Sequence, residues 1–253
     1  IADGTLNNIN MIGNQAPAGD TGGLYISGST LNFYNIVIQD NYALNNITGM
    51  NIAGSGSYVT FDRLLFTGNN YLYNNTIDGR CALAIGSSAT VTIKNSTLAD
   101  NDLSYTGYSQ YGIKVSNSAT LTLENSIVQD NAQNIYTESA GEVSASYSNI
   151  ENFSEIEGLT DSGGNIDIDS RFIDAENGNY QIRASSGCVN SGDPEITDSD
   201  GSRSDIGVYP YLNDYDGEAG WSISTETGDD VSGTGDPNGI PFASVQAGLN
   251  FAR

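Results

Sequence analysis

Apolar and polar residues alternate along the first half of the chain in short bursts that recur. Five segments align, beginning at Leu6 (LNNINMIGN), Leu31 (LNFYNIVIQDN), Val59 (VTFDRLLFTGN), Val91 (VTIKNSTLADN) and Leu121 (LTLENSIVQDN), with starts 25, 28, 32 and 30 residues apart. Each alternates for about eight positions and stops at an asparagine: Asn14, Asn41, Asn69, Asn101 and Asn131. Alternation at period two is a strand signal. The terminal asparagine suits a turn, because Asn tolerates left-handed backbone and bonds its own main chain. A second register follows each time: Gly22 to Ser29, Thr48 to Ser55, Cys81 to Ser88, Tyr111 to Ser118 and Gly141 to Ser148. Variation in length falls in one polar loop per period, such as Asn69 to Asn75.

Periodic strands of this kind pair with their counterparts one period away and stack apolar residues inward. The pattern predicts an all-β right-handed parallel β-helix with about five clear coils. A β-sandwich is the rival for a Gly-rich, strand-rich chain. It fits less well, because sandwich strands have no reason to repeat a start, an Asn stop and a second strand in step. A coil buries its interior only against neighbours, so both ends of a solenoid need covers. The expected organisation is coils over 1–150, a closing region over 151–213 and an extension over 214–253.

The second half carries two stretches with a different texture. From Ser146 to Tyr209 run YSNIENF, GNIDIDSRFIDAENGNYQIRASSGCVNSGDP and DSDGSRSDIGVY. This stretch resembles the closing region of secreted and surface right-handed β-helix proteins of the pectin-lyase-like superfamily. The resemblance implies fold and an extracellular or cell-surface location, and almost no chemistry. Trp221 to Arg253 (WSISTETGDDVSGTGDPNGIPFASVQAGLNFAR) resembles the opening of such a domain, which supplies a first strand and a short capping helix. Phe242, Val245, Leu249 and Ala252 would share one helical face, with Pro241 in the first turn. The opening motif thus stands after its own continuation, IADGTLNNINMIGN. One period of a tandem array, a terminal segment lent to the next subunit, and a fragment ending at the next domain's start all fit this order. The first two place a head-to-tail contact at Trp221, Phe242, Val245, Leu249 and Phe251, and such contacts generate filaments.

Charge and composition narrow the function. Lys and Arg number 8 against 31 Asp and Glu, for a formal charge of −23, and there is no His. So acidic a chain cannot neutralise a nucleic-acid backbone. Without imidazole there is no His-based triad, His zinc site or His proton shuttle. No run approaches the length of a membrane span. The charge is uneven, with 22 of the 31 acids from Glu138 onward. Cys81 and Cys188 are compatible with a disulfide or with two buried thiols.

Candidate chemistry is sparse. The superfamily's lyases use a cationic base beside calcium, and Arg63, Arg80, Lys94 and Lys114 match no such motif. Paired carboxylates can hydrolyse glycosides, but Asp40 with Asp130, and Asp100 with Asp102, read as turn residues beside the Asn stops. Asp193, Asp198, Asp200 and Asp205 crowd around DSDGSRSD, where a Gly-containing acidic loop offers oxygens to Ca2+. The other reading is a solvated loop in which Arg203 pairs with an aspartate. Asp229, Asp230 and Asp236 form a weaker candidate. Tyr71, Tyr73, Tyr105, Tyr108 and Tyr111 sit in or beside the variable loops, where aromatic faces serve sugar rings or protein contacts. The expectation is a non-enzymatic structural or adhesive protein that assembles with itself end to end. A glycan-binding module is the main alternative, and a polysaccharide-degrading enzyme is a weaker one.

Overall fold

A computed structural model describes residues 3–17, 21–43, 47–71, 80–101, 110–213, 221–236 and 238–251. The chain winds as a parallel β-solenoid. Its main sheet stacks Asp3–Ile12, Thr30–Gln39, Tyr58–Thr67, Thr90–Lys94, Thr120–Glu124, Glu142–Ser146 and Leu159–Asp161 in chain order, every pairing parallel. A second sheet stacks Leu24–Ser27, Ile47–Ala53, Arg80–Ile85, Gln110–Val115 and Ile135–Thr137.

Registers confirm four of the five expected starts and correct two details. Leu31, Val59, Val91 and Leu121 are aligned partners, but Gly4, not Leu6, opposes Leu31. The repeat's apolar start is simply missing in the first coil, where glycine holds the place. Gly141 to Ser148 is not the fifth member of the second register. Val143 pairs with Leu121 in the main sheet, and Ile135–Thr137 takes the place in the second.

The main-sheet strands bend in the middle. Asn8, Asn35, Arg63, Asn95, Asn125 and Tyr147 occupy equivalent bends with φ of 56, 54, 62, 47, 49 and 47°. Left-handed backbone is most readily adopted by Asn among residues with a side chain, which accounts for four of the six. Inward rows run on both sides of the bend. Before it, Phe33 and Phe61 stack with centroids 4.7 Å apart; after it, Ile38, Phe66, Leu98, Val128 and Ile150 are fully buried. Burying each such side chain contributes roughly 1.5–3 kcal/mol.

Apolar side chains cover each end of the solenoid in part. Phe153, Ile156 and Leu159 pack onto the core after the last bent strand and are partly buried. At the other end Leu6, Ile9 and Met11 of the first strand are partly buried in the same way, and Ile12 is 52% exposed. Most of the closing region lies along the solenoid's side. Leu65, Ala99 and Ile127 point outward, yet Tyr180, Val189, Ile206 and Val208 bury them. Polar contacts fix this flank: Val208 N donates to Thr97 Oγ1 (3.1 Å), Gly207 N to Asn125 O (2.9 Å) and Tyr180 OH to Asp100 Oδ2 (2.9 Å).

The last element, α1, covers Val245–Phe251. It starts later than the sequence pattern suggests. Ser244 Oγ accepts from Ala247 N at 3.1 Å, an N-cap contact. Pro241 and Phe242 therefore precede the helix, and Phe242 bridges to Ile223. No helix among the described residues is long and apolar enough to cross a membrane.

Candidate functional site

The asparagine stops form a continuous ladder. Asn14 Nδ2 donates to Asn41 Oδ1 (2.8 Å), Asn41 to Asn69 (2.9 Å), Asn69 to Asn101 (3.0 Å) and Asn101 to Asn131 (2.9 Å). Each amide oxygen also accepts a backbone N–H of the preceding coil, as Asn69 N to Asn101 Oδ1 shows at 3.1 Å. The second amide hydrogens reach carbonyls, including Asn69 Nδ2 to Ile38 O (3.0 Å) and Asn101 Nδ2 to Phe66 O (3.0 Å). Asn69 and Asn101 are fully buried, and a buried amide must satisfy both donors and acceptor. The asparagines are not themselves the left-handed turn residues. That role falls to the residue before each: Gly13, Asp40, Gly68, Asp100 and Asp130, at φ 68, 53, 64, 53 and 53°. Asp40, Asp100 and Asp130 are thus turn residues, as their positions suggested. Two partners escaped sequence inspection. Asn131 donates to Asn134 Oδ1 (2.9 Å), and Asn134 donates to Glu151 Oε2 (3.1 Å), closing the row. A parallel serine row, Leu64 N to Ser96 Oγ and Ser96 N to Ser126 Oγ, runs beside it.

The acidic loop directs its carboxylates to its own backbone. Asp205 is buried; its oxygens accept Asn190 N and Tyr211 N, each at 2.6 Å. Asp198 Oδ2 accepts Asp205 N (2.9 Å), Asp200 accepts Ser202 N (3.0 Å) and Asn213 N (2.7 Å), and Asp193 accepts Glu195 N (2.9 Å). Burial pushes Asp205 up to about 7 and raises Asp198 as well. For Asp200 burial works upward too, but the bonds from Asn213 and Ser202 outweigh it and hold the group below its usual range. Among the described residues, no three acidic or cysteine side chains converge as a metal site would require. Among the described residues Arg203 pairs with no aspartate. Its Nε donates to Gly192 O at 2.7 Å, and Nη2 reaches Ser191 O and Gly192 O. Asp229, Asp230 and Asp236 likewise accept from Val231, Ala243 and Asn238 N–H groups, each at 2.8 Å.

The proposed junction residues fall into two sets. Trp221, Phe242 and Phe251 form one aromatic cluster on their own chain, with Ala184, Ala247 and Tyr211. Val245 and Leu249 face outward at 64% and 56% exposure. They share a face with each other but not with buried Phe242. Asn250 ties the helix down by donating to Ala184 O (2.8 Å) and Ser186 O (2.7 Å).

The remaining candidates are simpler. Lys94 pairs with Glu124 and Lys114 with Glu138, each at 2.8 Å, between neighbouring coils. Tyr111 is buried and stacks on Tyr136 at 4.1 Å, so it presents little face to a ligand. Tyr73, Tyr105 and Tyr108, like Asp102, lie outside the described residues, as does the side chain of Tyr71. Cys81 and Cys188 are both buried, and burial pushes their thiols up to about 12 and about 11. No protein-family model matches the chain, and no curated protein or solved structure is significantly similar to it.

Proposed function

We propose that this chain is a non-enzymatic structural unit of an extracellular, pectin-lyase-like fibre, joined head to tail to further copies of the same unit. The observation that carries this reading is a matched pair of unsatisfied apolar surfaces. One is the outward face of α1, Val245 and Leu249. The other is the first coil, with partly buried Leu6, Ile9 and Met11 beside exposed Ile12. In the proposed junction the helix of one unit lies over the first coil of the next. That arrangement covers an otherwise templating sheet edge and propagates without closing. Covalently tandem units and separate subunits would share the same contact.

Electron microscopy and light scattering on the purified chain test this reading. The expected result is filaments, or concentration-dependent chains, that disappear in the double variant Val245→Glu, Leu249→Glu while the fold is retained. Both side chains are exposed, so the substitutions leave the interior intact. A monodisperse monomer at every concentration, indistinguishable from the variant, would overturn self-assembly through this face. Repeating the measurement with calcium and with chelator reports whether a cation strengthens the junction.

A further inference from the structure

Two Asp–Pro bonds occur in the chain, Asp193–Pro194 and Asp236–Pro237. Such a bond breaks more readily than other peptide bonds, because the aspartyl carboxyl can close a five-membered ring on its own carbonyl carbon while proline leaves as a secondary amine. The two sites share a local turn. Glu195 N donates to Asp193 Oδ1 (2.9 Å) and Ile196 N to Asp193 O (3.1 Å); Asn238 N donates to Asp236 Oδ1 (2.8 Å) and Gly239 N to Asp236 O (3.1 Å). They differ in one group. Ser204 Oγ donates a second hydrogen bond to Asp193 O, at 3.1 Å, and among the described residues no second donor reaches Asp236 O. Asn125 sets the direction of that hydroxyl. Its Oδ1 accepts Asp193 N at 2.7 Å, and because a backbone N–H only donates, the amide turns Nδ2 toward Ser204 Oγ, at 3.1 Å. The Ser204 oxygen therefore accepts from Asn125 while its hydrogen goes to the Asp193 carbonyl. Ser204 and Asn125 are each 2% exposed, whereas Pro194 is exposed.

Two fixed donors on one carbonyl oxygen, one of them buried, form the arrangement that stabilises an oxyanion as it develops. We propose that the chain cleaves itself at the Asp193–Pro194 bond. The neutral carboxyl of Asp193 attacks its own main-chain carbonyl carbon. The carbonyl oxygen takes up negative charge and accepts from Ile196 N and Ser204 Oγ. The C–N bond to Pro194 then breaks, and the carboxyl's proton passes to the proline nitrogen. Asp193 is left as a cyclic anhydride. Water opens it, giving one piece that ends in Asp193 and a second that begins at Pro194. Ser204 touches the reacting oxygen, and Asn125 positions Ser204. The charged groups of the same loop are Glu195, Asp198, Asp200, Arg203 and Asp205, with Arg203 donating to Gly192 O at 2.7 Å. The cut needs no second copy, so it is independent of the proposed junction. Gly192 N to Ser204 O (2.8 Å) and Asn190 N to Asp205 Oδ1 (2.6 Å) would still tie the two pieces together.

The full chain would be held in mildly acidic buffer, where the neutral carboxyl is populated, and its fragments weighed after denaturation. The Asp236–Pro237 bond serves as the control inside the same molecule, at the same pH. The expected result is fragments that end at Asp193 and begin at Pro194, accumulating faster than cleavage at Asp236–Pro237. Ser204→Ala should slow the first cut by roughly ten- to a hundredfold, the worth of one hydrogen bond to a charged oxygen, and leave the second unchanged. Asp193→Asn keeps an acceptor for Glu195 N but lacks the attacking carboxyl, and should abolish the first cut. Should Ser204→Ala fail to fold, the unmodified chain in urea gives the same answer, because unfolding removes Ser204 from the carbonyl and should erase the preference. Equal or slower cleavage at Asp193–Pro194, no cleavage at either bond, or a preference that persists in urea would overturn the proposal.

Discussion

The coils and the flank packed against them solve the same problem by opposite means. Both must satisfy backbone N–H groups at turns. In the coils, neutral amides and hydroxyls do it in register: Asn101 Oδ1 takes Asn69 N, and Ser126 Oγ takes Ser96 N. In the flank and the C-terminal segment, carboxylates do it one turn at a time. Asp200 takes Ser202 N, Asp229 takes Val231 N, Asp230 takes Ala243 N and Asp236 takes Asn238 N. These are turns closed by a side chain two or more residues back. The concentration of acid after Glu138 is therefore largely structural in placement. One half of the molecule is held by groups that do not titrate, and the other by groups that do.

Breaking the ladder should have the largest effect. Asn101→Ala removes the acceptor of Asn69 N and Asn69 Nδ2, both within the buried row. Orphaned buried donors cost about 1–3 kcal/mol each, so a loss of roughly 2–4 kcal/mol is expected in denaturant unfolding, insensitive to pH.

Acid and base should separate the halves. Asp200 and Asp229 are held below the ordinary aspartate value, Asp229 chiefly by Ser232 and Val231. Their contribution is present above that value and is lost as pH falls through their folded values. Asp205 acts with the opposite sign. Burial raises it to about 7, so its contribution is complete below the unfolded value and is lost as pH rises through neutrality. The flank should be most stable in mildly acidic solution. Thermal melts followed by Trp221 emission should show that optimum. Melts of the coils followed by far-ultraviolet circular dichroism should be flatter with pH. Coincident profiles would show that the two regions unfold as one unit.

The smallest effect sharpens the comparison at the helix. Ser244→Ala removes the cap on Ala247 N and should cost about 1 kcal/mol. It should appear in the Trp221 signal before it appears in the dichroism of the coils.

The coils were legible because their interior depends on neighbours one period away, and that period is written in the sequence. Leu31, Val59, Val91 and Leu121 align by inspection and by register alike. The first coil was misplaced by two residues because Gly4 offers no apolar mark. Gly141 to Ser148 was assigned to the wrong sheet because its coil lacks an Asn stop; Ser148 Oγ continues the serine row there, accepting Ser126 N at 3.1 Å. The flank obeys no period. Its partners, Val208 with Leu65 or Asn250 with Ala184, are set by packing across long sequence separations. The hydrophobic spacing around α1 misled for a related reason: Phe242 lies before the helix and is buried against Trp221 and the helix's last residue, Phe251.

The asparagine row also gives the solenoid an electrical direction. Every amide in it donates toward the last coil, from Asn14 through Asn131 to Asn134. Aligned dipoles of this kind sum, as peptide dipoles do along a helix, and polarise one another. The positive pole meets the carboxylate of Glu151, which accepts from Asn134 and from Asp130 N. The negative pole emerges beside exposed Asn14 at the first coil. In the proposed fibre, reversing one unit would set like poles against each other, so the row that holds each coil in place would also favour a single polarity.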